Sequence, residues 1–68
     1  MIITQIRVVK IEQSGRNKHL CGIVHVENCS IDLRGNADIG QIKEIMIEKY
    51  STIFDFPFSV LFTYAEKT

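Results

Sequence analysis

The sequence predicts an α+β fold: one mixed β-sheet with a single helix on one face, in the order βββαβ. Three observations predict it. Asp38 to Phe54, read DIGQIKEIMIEKYSTIF, is the one stretch whose apolar residues recur at helical spacing. The residues before it fall into alternating β-branched runs separated by polar turns. The residues after Pro57 alternate again, with apolar, mostly aromatic side chains at every second position. With 68 residues and no linker, repeat or low-complexity tract, residues 1–68 read as a single small domain.

Ile2 to Glu12 reads as a first strand. Ile2, Ile6 and Val8 share one parity, yet from Val9 onward the apolar parity moves to Val9 and Ile11. An extra residue near Val8 and Val9, a β-bulge, restores one continuous buried face. Ser14-Gly15-Arg16-Asn17 is a polar turn. Lys18 to Arg34 is long for one strand and changes parity within itself: Val24 and Val26 are apolar at even positions, Cys29, Ile31 and Leu33 at odd ones. A two-residue reversal at Glu27-Asn28 reconciles the two, pairing Val26 with Cys29, Val24 with Ile31 and Gly22 with Leu33 on one face. Gly22, a strand glycine, falls beside the expected bulge, and Gly35-Asn36 ends the third strand.

In the helix, Ile39, Ile42, Met46, Tyr50 and Ile53 lie on one face. Asp38 and Gln41 have capping-box spacing, with Ala37 and Ile42 placed as a hydrophobic staple. Pro57 stops the helix near Phe54. Gly40, Gln41, Glu44, Glu48, Ser51 and Thr52 form the wet face, while Ile45 and Ile47 widen the apolar stripe beyond what one sheet needs. In the final strand Phe58, Val60, Phe62 and Tyr64 form an aromatic buried face. A helical crossover from the third strand implies that these two strands run parallel.

Eight basic and eight acidic residues cancel, so the overall positive charge of a protein that binds nucleic acid mainly through phosphates is missing. No apolar run reaches the roughly 18–20 residues of a membrane span, and the charged alternation of the N-terminus does not read as a signal peptide. These features imply a cytoplasmic chain, with Cys21 and Cys29 reduced and packed. A domain this small gains from a partner, so a homodimer is the expected state.

His19, Cys21, His25 and Cys29 have zinc-ligand chemistry. Positions four apart on a strand, however, lie about 13 Å from each other, so no metal site is expected. No nucleophile stands beside an oriented base, and no phosphate loop or catalytic carboxylate pair occurs, so no catalytic residue and no cofactor are assigned. Glu44 and Glu48 suit a solvated face. Lys10, Arg16, Lys18 and His19 surround the first turn, and a reversal at Glu27-Asn28 returns Arg34 to the same end. That cluster reads either as a phosphate-binding corner or as a solvated turn with loose ion pairs to Glu12. The second sheet face, carrying Ile3, Gln5, Arg7, Cys21, Ile23, His25 and Leu61, is mixed, and Ile3, Ile23 and Leu61 with the helix shoulders Ile45 and Ile47 form a candidate partner interface.

Met1, Thr4, Ile6-Arg7-Val8, Lys10-Ile11 and Gly15-Arg16, the exit Ile31-Asp32-Leu33-Arg34 and the helix segment Gly40-Gln41-Ile42-Lys43-Glu44 running to Tyr50 together resemble the SpoVG (stage V sporulation protein G) family of small bacterial septation and gene-regulatory proteins. That family has a longer insert between hairpin and helix. The resemblance implies a dimer that binds nucleic acid as a regulator. The expectation is therefore a small non-enzymatic, dimeric regulator contacting nucleic acid through Lys10, Arg16, Lys18 and Arg34. The alternative is a protein–protein interaction module, an adaptor or inhibitor, using the second sheet face or the aromatic final strand.

Overall fold

A computed structural model describes residues 1–34 and 38–66. Two antiparallel ladders organise them: β1 (Ile2–Ser14) lies between β2 (Asn17–Asp32) and β3 (Phe58–Ala65), giving the order β2-β1-β3, and α1 (Ile39–Ser51) packs on one face. The class is α+β as expected, with three strands where the sequence predicted four, and with antiparallel neighbours throughout instead of a mixed sheet. The strands flanking the helix do run in the same direction, because both oppose β1, but β1 separates them.

The missing reversal at Glu27-Asn28 has a physical cause. The parity argument assumed that Val24 and Val26 must face the core. Instead β2 runs straight on, and β1 pairs with it from Ser14↔Asn17 to Ile2↔Asp32. His25, Glu27, Cys29 and Ile31 take the helix side, leaving Val24 and Val26 substantially exposed. A carboxylate and an imidazole are tolerated there because Tyr50 of α1 supplies the hydroxyl and ring they meet. The expected irregularity at Val8/Val9 is present, but the extra residue, Val24, sits on β2. β1 itself alternates through this level, with Val9 buried on the face away from the helix. Gly22 opposes Lys10 between two register shifts. At the turn, Gly15 has φ +63° and Arg16 stays at negative φ, the glycine-first pattern of a II′ hairpin.

Ile3, Ile6, Val8, Tyr50 and Val60 are buried together, with Cys29, Ile31, Leu33, Ile42, Met46, Phe54, Phe58 and Phe62 around them. The helix begins as its sequence dictates: Asp38 Oδ1 accepts from the backbone N–H groups of Gly40 (2.9 Å) and Gln41 (3.3 Å). Ala37, the other half of the expected staple, and Gly35-Asn36 lie outside the described residues. Regular helix ends at Ser51, earlier than Phe54, because the last turn tightens: Thr52 N–H donates to Lys49 O and Ile53 N–H to Tyr50 O. Ile42, Met46 and Tyr50 face inward as the spacing requires, whereas Ile39 and Ile53, at the ends of the stripe, overhang the sheet and are exposed.

β3 pairs with β1 only from Ile2 to Lys10. Beyond that level the β1–β2 ribbon continues as two strands to the turn at Gly15-Arg16, and the molecule reaches 44 Å in its longest dimension. Its radius of gyration is 13.3 Å, against about 11 Å for a compact chain of this length. Its accessible surface is 5011 Å², against about 4,400 Å² for a monomer of this mass.

Candidate interaction face

Pairing register sorts the sheet residues onto two sides. Opposite the helix lie Gln5, Arg7, Val9, Ile11 and Gln13 of β1; Lys18, Leu20, Ile23, Val26 and Asn28 of β2; and Ser59, Leu61 and Thr63 of β3. No element of the described chain covers this side. Leu20 is 52% exposed, Ile23 56% and Val26 46%, and all three come from the edge strand β2, which has a neighbour on one flank only. Ile11, Lys18, His19, Leu20 and Ser59 line an open hollow of about 140 Å³ where the ribbon leaves β3 behind. Arg7 sits mid-face between Val26 and Leu61. Its Nε is withdrawn from solvent and has no hydrogen-bond partner.

The expected interface residues divide. Ile23 is strongly exposed on this face and Leu61 is half-buried there. Ile3 is fully buried under the helix, because β1 slips phase at Thr4 and turns Ile3 to the same side as Ile6; it cannot contact a partner. His25 moves to the helix side as well. Ile45 and Ile47 are exposed on α1, remote from the sheet's open face.

The expected cationic corner does not assemble. With β2 unbroken, Arg34 follows one end of a 16-residue strand whose other end is at the Gly15-Arg16 turn, so the two lie toward opposite ends of a molecule 44 Å long. Arg34 there binds Asp32 at 3.0 Å. Lys10 lies on the helix side, its Nζ 5.3 Å from the centre of the Phe56 ring, while Lys18 pairs in register with Gln13 on the open side. Arg16 and Lys18 remain near each other at the turn, beside a His19–Glu12 contact of 3.7 Å.

The residues considered for zinc are likewise separated. His25 stacks obliquely on Tyr50, the Cys29 thiol donates to the carbonyl of Ile3, and the Cys21 thiol to that of Lys10. Both cysteines are free thiols on one extended strand, eight positions apart, which places them beyond disulfide reach. Burial, with the charge of Glu27 adding, pushes the Cys29 thiol up.

Sequence reasoning missed the polar joint between α1 and β2. The Tyr50 hydroxyl donates to Glu27, which also lies 3.5 Å from Lys49 Nζ and 3.8 Å from His25 Nε2. The Tyr50 hydrogen bond holds the Glu27 carboxyl below its ordinary value against the opposing effect of burial, with Lys49 and His25 helping. Burial first, and the bond to Glu27 second, push Tyr50 up to about 12. The available signal was the shared parity of Glu27 with Cys29 and Ile31, because a carboxylate on an apolar side of a strand needs a partner.

No helix among the described residues is long and apolar enough to cross a membrane. Comparison with protein-family models, with curated proteins and with solved structures returns no match.

Proposed function

We propose that the chain is a small non-enzymatic protein-binding module that docks its partner on the helix-free face of the sheet. One observation carries this reading: Leu20, Ile23 and Val26 stand about half exposed in register on that single face, an arrangement that marks interaction surfaces more than free ones. The extended shape supports it. The surface in excess of a compact monomer, roughly 600 Å², approaches the roughly 800 Å² that each partner contributes to a standard interface. Zero net charge supports it too. The nucleic-acid reading keeps Arg16 and Lys18 at the turn but loses Arg34 to the far end and Lys10 to the other side, so it ranks second.

The test is affinity capture from the native lysate, nuclease-treated, with wild-type, Ile23→Asp and Glu48→Lys chains as bait, read by quantitative mass spectrometry. A stoichiometric protein recovered by wild type and by Glu48→Lys, and lost with Ile23→Asp, is the expected outcome. Equal recovery by all three baits, or material that nuclease removes, refutes the assignment.

A further inference from the structure

Building on that docking face, we propose that Arg7 receives a carboxylate, so that the partner is a protein segment presenting an acidic side chain amid apolar ones. Arg7 occupies the middle of the open face, between Val26 on one neighbouring strand and Leu61 on the other. Its guanidinium is a permanent cation with donors in a planar fork. The strand neighbours withdraw its Nε from water without supplying an acceptor, and a buried donor left unpaired is costly. From Gln5 to Gln13 the register puts no carboxylate on this side. The formal charges there are Arg7 and Lys18, both positive. The face is therefore apolar with a positive centre, and its complement is apolar with a negative one.

Self-association meets this requirement poorly. Two copies joined face to face around a twofold axis bring like charges into the same desolvated layer, which is repulsive. The acidic apolar surface the chain does own, Glu44 and Glu48 beside exposed Ile45 and Ile47 on α1, could reach Arg7 of another copy only head to tail, a contact that propagates unless it happens to close. A different protein avoids both problems.

The hollow lined by Ile11, Leu20 and Ser59 gives the segment a second point of attachment. Ile11 is four residues from Arg7 on the same strand, about 13 Å along it. The segment thus carries a carboxylate and, about 13 Å away, an apolar side chain that fills the hollow.

The experiment is selection of a randomised displayed-peptide library on the immobilised chain, followed by titration of the enriched peptides. Wild type, Arg7→Gln and Ile23→Asp are compared, with circular dichroism to establish that each is folded, and sedimentation velocity reports the mass of wild type and Ile23→Asp. Enriched peptides should carry an Asp or Glu flanked by aliphatic or aromatic residues. Replacing that acid by its amide, or Arg7 by Gln, should weaken binding about ten- to a hundredfold. Replacing both should cost little more than either alone. Peptides that lose binding with Ile23→Asp yet show no acidic preference and no response to Arg7→Gln overturn the Arg7 assignment and leave the docking face standing. Peptides indifferent to Ile23→Asp, or none enriched, overturn both. A wild-type dimer that Ile23→Asp converts to monomer also overturns the proposal, because the face is then filled by a second copy. If Arg7→Gln fails to fold, the acid-to-amide peptide pair on wild type decides alone.

Discussion

Replacing Tyr50 by Phe removes one oxygen from the polar joint that ties α1 to β2. Tyr50 is buried and donates to Glu27. A hydrogen bond to a charged acceptor typically contributes about 1.5–3 kcal/mol. Glu27 is still 39% exposed at its side chain and keeps Lys49 at 3.5 Å, so water and the Lys49 ammonium recover part of the loss. The expected destabilisation is about 1–2 kcal/mol, a fall in Tm of about 5–15 °C for a domain of this size. Urea and thermal unfolding of wild type, Tyr50→Phe, Glu27→Gln and the double variant at pH 7 measure it, with a coupling energy of about 1 kcal/mol expected from the cycle.

The acid limb gives an independent check. The folded-state pKa of Glu27 is depressed, so its contribution is present above the unfolded value near 4.5 and is lost as pH falls through the lower folded value. Tyr50→Phe should therefore flatten stability against pH below about 4.5. The folded-state pKa of Tyr50 is raised from 10 to about 12, so its contribution is complete below pH 10 and disappears as pH rises through 12. A Tyr50→Phe chain within about 0.5 kcal/mol of wild type at pH 7, or strict additivity in the cycle, refutes the idea that this bond fastens the helix.

Three further outcomes follow from the fold. Ile3→Ala should cost about 2–5 kcal/mol because Ile3 is fully buried under α1, whereas Ile23→Ala should change stability by under about 0.5 kcal/mol; chemical denaturation separates them. Asp38→Ala removes the acceptor for two helix N–H groups and should cost about 1 kcal/mol, while Asp38→Asn should retain most of the cap. Amide hydrogen exchange should be fastest in the two-stranded ribbon from Glu12 to Lys18, and slowest from Ile6 to Val8, where β1 is flanked on both sides.

The helix was legible because its signals are local: spacing at Ile42, Met46 and Tyr50, a capping aspartate, and a proline downstream. The final strand was legible for the same reason, its alternation being uninterrupted. The second strand was misread because alternation reports that two sides differ without saying which side is buried. Val24 and Val26 look like core residues beside His25 and Glu27, and only the position of Tyr50, some 23 residues from Glu27, reverses the choice. That single inversion manufactured a third strand, brought Arg34 to the wrong end and created a cationic corner. Ile23 and Leu61 survived as face residues because their register depends on β1 and not on the supposed turn, while Ile3 was lost to a phase slip at Thr4 that has no sequence marker.

The open face and the polar joint are consequences of the same mismatch in length. β2 is 16 residues long and β3 only 8, while α1 buries Tyr50 alone among its residues, so one short helix and one short strand cannot cover both sides of the ribbon. The helix packs on the side that carries Phe58, Val60 and Phe62, and Glu27 with Tyr50 ties its C-terminal end to β2. What is left on the other side is a strip of β-branched and leucine side chains around Arg7, with Lys18 toward the turn. Strengthening the inner side, for instance by exchanging His25 and Glu27 for valines, would remove the polar contacts that position the helix while doing nothing for the outer face. A partner at free concentration L that covers the outer face stabilises the folded state by RT ln(1 + L/Kd), and the domain's melting temperature should therefore rise with the logarithm of partner concentration once that exceeds Kd, even though no residue of the core is touched.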